Sequence, residues 1–301
     1  MANLFRCGSN NNSVGRFVCV GQYGKSYYSR NGTAWTPMTG LNTATSNNNY
    51  DGVAYGDSRF VCVGSAGQSY YSIDGKSWIP MSGLANGSTD HYYAVAYGNG
   101  RFVCLGNSGK SYYSTDGVNW TAMTGLGNRA HFSVVYGNDR FVCVSYTDGK
   151  SYYSKNGTSW TAMSGLDSSI YYYGVAYGNG RFVCVGEDGK SYYSTNGTSW
   201  TAMSGAEDSP RLYSVTYGND RFVSVGMDGK SYYSTDGVKW TAMSGLVFGS
   251  YEGVSYGNGR FVCVGMKGKS YYSTNGTSWT AMSGLDTSTE YYNSVAYGNA
   301  I

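Results

Sequence analysis

Few side chains in this sequence come in types and spacings that do chemistry. The chain holds 4 Glu and 2 His, and the histidines, His91 and His131, lie 40 residues apart, so general acid/base pairs and metal-ligand clusters are both thin. Seven cysteines suggest thiol chemistry. Six of them (Cys19, Cys62, Cys104, Cys143, Cys184, Cys263) occupy one place in a recurring RFVCVG-like string, where the seventh copy has Ser224. Equivalent places in separate units are held apart by the repeat, which predicts small buried hydrophobes in a reducing compartment. Cys7 lies outside the pattern and has no assignment. Gly-Lys-Ser (Gly109 to Ser111, Gly189 to Ser191) mimics the end of a phosphate-binding loop, but Gly186 to Lys190 has two residues between glycines where that motif needs four, and no helix follows. It reads as a hairpin turn. The abundant chemistry is that of 33 tyrosines, whose rings pack and whose hydroxyls bond.

The elements that must position these residues follow from the repeat. Arg-Phe recurs at Arg16, Arg59, Arg101, Arg140, Arg181, Arg221 and Arg260, and tryptophan at Trp35, Trp78, Trp120, Trp160, Trp200, Trp240 and Trp279. Seven units of 39 to 43 residues therefore fill the chain. Each unit has four β-like segments of four to six residues, in the fourth unit and its run-in to the fifth Phe141 to Ser145, Lys150 to Ser154, Trp160 to Met163 and Gly174 to Gly178. Turn signals separate them: Asp148-Gly149, Asn156-Gly157 and Gly178-Asn179-Gly180. The spacing predicts an all-β seven-bladed β-propeller of four-stranded antiparallel blades. A solenoid would carry atypical polar end repeats, and these end units are regular. The final SVAYGNAI (Ser294 to Ile301) copies the segment that elsewhere precedes Arg-Phe, so the C-terminal strand should join the N-terminal blade and close the ring. That makes 15–301 one propeller and 1–14 a tail or added edge strand, unless Leu4 to Cys7 takes the inner-strand place. The repeated tryptophans should open a strand in each blade and pack in the core. Asn-Gly-Thr at Asn31, Asn156, Asn196 and Asn275 fits a glycosylation pattern, yet Asp-Gly replaces it at Asp74, Asp116 and Asp236, and turn geometry accounts for both.

The string SYYSTDGVNW (Ser111 to Trp120), with counterparts such as Ser191 to Trp200, resembles the Asp-box (BNR) repeat of sialidase-like propellers, one residue shorter than that family's pattern. The resemblance covers all seven units and implies a fold, not a chemistry. YGNGRFVCVG followed by DGKSYYSTDG and Trp more loosely resembles repeats of phage and prophage tail-associated proteins. A sialidase-like glycoside hydrolase would need three arginines on one pocket with a Tyr/Glu pair. Here the repeated arginines form a ring on one face and only Arg129 and Arg211 fall on the other, so no catalytic residue, cofactor or metal is expected and the protein reads as a non-enzyme.

With the inner strand placed at VAYG, the Gly-Asn-Gly turn and the Asn/Asp-Gly turn share one face and are nearly constant. The turn before Lys-Ser and the long connection into the next inner strand share the other, and both vary. The short turns include Ser65-Ala66, Thr147-Asp148 and Glu187-Asp188; the connections include ANGSTDHYYA, GNRAHFS and DSSIYYYG. Their Tyr, Asn, Ser, Gly and Asp content is that of a binding paratope. Counting back from the valine that opens the inner strand, the first residue is small and the third is usually Tyr. The second (Asp51, Tyr93, Phe132, Tyr173, Tyr213, Glu252, Asn293) and the fourth (including His91, Tyr171, Arg211, Tyr291) are free. Residues two apart point the same way in an extended chain, so the free positions share a side. Asp51, His91, Tyr93, Phe132, Tyr171, Tyr173, Arg211, Tyr213, Glu252, Tyr291 and Asn293 are the candidate ligand contacts, with Tyr172 as framework.

These features predict a monomeric, non-catalytic recognition protein for a glycan or other cell-surface ligand. Other readings are a protein-binding or structural module of a phage tail or larger assembly, or an engineered or amplified scaffold without an evolved ligand. Net charge +3 without a basic run argues against nucleic acid, and no apolar run reaches a membrane span. The N-terminal MANLFRCGSNNN lacks the pattern of a signal peptide, so the expectation is synthesis in the cytosol, with a place in a virion or surface assembly open.

Overall fold

A computed structural model describes residues 14–41, 48–145, 150–287 and 291–300. Among these the strands form seven four-stranded antiparallel sheets, the blades of a seven-bladed propeller. Calling the strands a to d from the axis outward, the fifth blade is Tyr172–Gly178, Arg181–Gly186, Ser191–Ser194 and Thr201–Ala202. The first blade takes its strand a, Tyr292–Ala300, from the C-terminal end and pairs it with Val14–Gly21, from Val14 with Ala300 to Gly21 with Tyr292. The ring is thus closed as the terminal copy predicts. Val14, assigned to the tail, is the first residue of that strand. Residues 1–13, with Cys7 and the Leu4 to Cys7 option, and the turn residues Thr147, Asp148 and Gly149 lie outside the described residues. No helix among the described residues is long and apolar enough to cross a membrane.

Strand lengths differ from the even four to six expected. Strand a runs to seven residues or more because the semi-constant tyrosine three before the valine already pairs, while strand d is only two residues and begins after the tryptophan. Trp200 is nevertheless buried, as are the other six tryptophans, which supports the packing role. Strand b is constant because both its faces are covered. Phe182 and Cys184 pack toward Val142 and Val144 of the fourth blade, whereas Val183 and Val185 pack toward Leu212, Val215 and Trp240 of the sixth. With period-2 alternation, a strand sandwiched between blades needs small and medium apolar residues at every place. The six cysteines of this string are fully buried free thiols, and burial raises their pKa away from reactivity.

The turns carry the chemistry of the constant face. Between strands a and b, Asn179 and Gly180 both take positive φ (47° and 73°), a type I′ hairpin. Between c and d the Asn/Asp-Gly pair belongs to a six-residue loop rather than a two-residue hairpin. Gly197 N–H donates to Ser194 Oγ (2.8 Å), and the Thr198 and Ser199 N–H groups donate to Asn196 Oδ1 (2.9 Å each). Asp116 does the same for Val118 and Asn119, so Asn and Asp are interchangeable there, which accounts for the glycosylation-like pattern. Arg16, Arg181 and Arg260 of the repeated arginines bridge a blade junction. The Arg181 guanidinium lies 5.9 Å from the centroid of Tyr193 in its own blade, and its Nη1 donates to Asp236 O of the next (2.6 Å). All seven arginines sit over the matching tyrosine of their own blade, and Arg16 and Arg260, like Arg181, also donate to a backbone carbonyl of the next blade.

Candidate functional site

The opposite end of strand a builds an arrangement in which the seven units differ and converge. In the fifth blade Tyr172 pairs with Gly186 and Gly174 with Val185, so the register shifts by one residue at Tyr173. This is a β-bulge, which re-aims the extra residue. Gly186 permits it by close approach, because a Cβ there would lie 2.3 Å from Tyr171 O. The bulge recurs in the other six blades at the residue two before the valine. Those seven residues line one cavity of about 140 Å³ on the axis. Its wall continues with the small residue that follows, and where that residue is serine its Oγ accepts the next blade's valine N–H: Ser133 from Val175 (3.1 Å), Ser214 from Val254 (3.1 Å), Ser294 from Val53 (3.3 Å).

Around the axis the lining separates into two arcs. Tyr93, Phe132, Tyr173 and Tyr213, from consecutive blades, form a continuous aromatic run. Tyr93 stacks on Phe132 (centroids 4.4 Å, planes 26° apart), Phe132 meets Tyr173 edge-on (6.2 Å), and Tyr173 meets Tyr213 likewise (5.3 Å). Glu252, Asn293 and Asp51 complete the circle as a polar arc. Asn293 Nδ2 donates to Asp51 Oδ1 (2.9 Å) and to Tyr50 O (3.2 Å), and Ser250 Oγ donates to Glu252 Oε1. Burial pushes the Asp51 carboxyl up to about 7, with the Asn293 bond opposing, and burial raises Glu252 as well.

The free residues four before the valine do not line this cavity; His91 and Arg211 stand outward of it on the same side. His91 stacks against Tyr93 from outside (6.1 Å), and Arg211 bonds the neighbouring Tyr213, so the shared side holds in both blades. Tyr171 and Tyr291 also lie outside the lining; Tyr171 O accepts the Glu187 N–H (3.0 Å). Tyr172 is fully buried, its hydroxyl donating to Asp167 O (3.2 Å) and accepting from Asp167 N–H (3.0 Å), in keeping with a framework role. Glu187 was not among the candidates, yet its Oε1 accepts from Tyr173 Oη (3.2 Å) and from Arg211 Nε (3.1 Å). Its place in a variable short turn was the available signal. The Gly-Lys-Ser turn closes as a hairpin, with Gly186 N–H donating to Lys190 O (3.0 Å). Among the described residues no three His, Cys, Asp or Glu side chains gather as a metal site.

Comparison with known proteins bears on the fold. The family model described as the DUF6242 beta propeller domain matches residues 125–244, a stretch running from ahead of the fourth blade's inner strand to the sixth blade's outer one. The match is to this family rather than to the Asp-box or phage-tail repeats. No curated protein matches the chain. Among solved structures the chain is similar to YCF48 bound to D1 peptide (15% identity, 82% of this chain and 92% of that chain, TM-score 0.62). It is similar also to the computationally designed Ika8 protein (12%, 93% and 90%, 0.61) and to the WD40 beta propeller domain of Doa1 (15%, 78% and 82%, 0.61). At these identities the likeness is one of fold.

Proposed function

We propose that this protein is a non-catalytic recognition module that binds a glycan or a segment of protein through the variable face of the disc, with the axial pocket as anchor. The observation that carries this reading is convergence: seven positions that differ between near-identical units meet in one cavity, on the face where the turns also differ. An aromatic arc offers ring faces to sugar C–H or apolar side-chain surface, and the polar arc and Glu187–Arg211 rim offer directional bonds. The YCF48 structure with a peptide supports a protein segment as one kind of ligand for this architecture.

Paired glycan and peptide arrays test it. The protein should capture a subset of ligands, and the triple variant Tyr93→Ala/Tyr173→Ala/Tyr213→Ala should lose them while keeping its circular dichroism spectrum. Arrays blank for both versions, or unchanged by the substitutions, would overturn the reading.

A further inference from the structure

The polar arc is rich in acceptors and poor in donors. Among the described residues Asp51 accepts a side-chain bond from Asn293 alone and Glu252 from Ser250 alone, although each carboxylate offers about four lone-pair directions. Both carboxyls are drawn out of bulk water into the same cavity, which is unfavourable for their charges unless a positive partner joins them. Among the described residues no lysine or arginine lines the cavity. Arg211 stands outside the lining, held by Glu187 (3.1 Å) and Tyr213. Opposite the carboxyls stand four aromatic side chains, and a cation set between an acidic arc and ring faces is attracted by both.

Size narrows the choice. A cavity of about 140 Å³ matches one that holds a benzene-sized group, so a single side-chain head enters and an oligosaccharide does not. An amino sugar is a ring larger than a single side-chain head and surrounds its ammonium with hydroxyls, whereas a lysine stem is bare methylene and its ammonium is donor-only, with three N–H groups for the unsatisfied acceptors. We propose that the axial pocket takes the lysine side chain of a protein segment, its ammonium between Asp51 and Glu252 and its methylenes against Tyr93, Phe132 and Tyr173. This rests on the recognition reading above and names the group that the pocket anchors.

The groups facing a bound ammonium are Asp51, Glu252, Asn293 and Tyr213, with Glu187, Arg211 and His91 on the rim. The free Asp51 carboxyl titrates near 7, and the ligand's amine, near 10.4, stays charged below that. Binding must then displace a proton at lower pH, so affinity should weaken by up to about tenfold per unit as pH falls below 7. The test is a titration of the intact protein at pH 8, followed by NMR, with Nα-acetyl-lysine methylamide, its ε-acetylated counterpart, glucosamine and methyl glucoside. The lysine derivative should bind, ε-acetylation should weaken it by about tenfold or more, and Asp51→Asn/Glu252→Gln should do the same with the fold intact. Equal binding of the acetylated form, or tighter binding of either sugar, overturns the proposal. If the arrays register ligands that depend on Tyr93, Tyr173 and Tyr213 while the lysine derivative does not bind, the ammonium assignment falls and the recognition face stands. Silence in both experiments removes both.

Discussion

His131 occupies the framework place that five other units give to tyrosine and one to Leu212. It is fully buried, with its Nε2 unpartnered and its Nδ1 4.0 Å from Cys143 Sγ, and desolvation lowers its pKa to about 4. In the unfolded chain it protonates near 6.5. Between those values the unfolded state binds the extra proton, so this site's contribution to stability is present above pH 6.5 and is lost as pH falls toward 4. His131→Tyr should therefore leave stability near neutral pH little changed and gain on the wild type by up to about 3 kcal/mol by pH 4, read by urea denaturation across pH 4 to 8. A constant difference over that range would contradict the account. At this level the repeat comparison parts three neighbours: Tyr172 is buried, Tyr173 lines the cavity, and Tyr171, grouped with Tyr173 as a ligand contact, stands outside the lining. Glu187 stands in a turn that the comparison marks as variable, but its bonds depend on how that turn meets the next blade's connection, 24 residues along.

Strand a ends on a glycine in six blades, and in the first, where it runs on to Ala300, Gly298 holds the equivalent place; each of these glycines is pressed against the next blade's tyrosine. A Cβ on Gly178 would lie 1.9 Å from Tyr217 Cγ, and the contact repeats around the ring to Gly298 against Tyr55. The obstructing atoms sit at the base of the tyrosine side chain, so they cannot swing aside. Gly178→Ala should cost about 1–3 kcal/mol in chemical denaturation, the range of overpacked cores. Gly180→Ala, at a turn position with φ +73° and no heavy atom near, should cost less, about 1 kcal/mol from backbone strain alone. Equal losses would mean that the blade junction yields more readily than its geometry implies. Strand number and order were readable from the period, but strand length was not. The outer strand shrinks to two residues and the bulge inserts one without any change in hydrophobic pattern, since both are settled by how closely backbones approach.

The molecule is a ring whose last strand completes its first sheet, pairing with Val14–Gly21 along its length. Deleting residues 292–301 removes an inner strand and uncovers the Tyr55 and Val53 side of the second blade. The truncated chain should lose the cooperative thermal transition of the intact one, followed by circular dichroism. A circular permutant that joins the ends and opens the connection at 127–128 should retain it. Retention by the truncated chain would show that closure is dispensable. Ring closure was visible in the terminal copy of the repeat. The division of the pocket was not, because Asp51 and Asn293 are neighbours only once the ends of the chain meet.

The seven bulges have a consequence for how such a pocket is varied. Strand b and the constant-face turns are built from the same strings in every blade, so the packing they contribute between blades depends little on which blade follows which, whereas the cavity depends on it. Glu252, Asn293 and Asp51 form one polar arc only because their blades are consecutive across the closure. The same seven blades shuffled into another order would keep every residue of the pocket and alternate acid with ring, giving a different binding surface by permutation, without a single substitution.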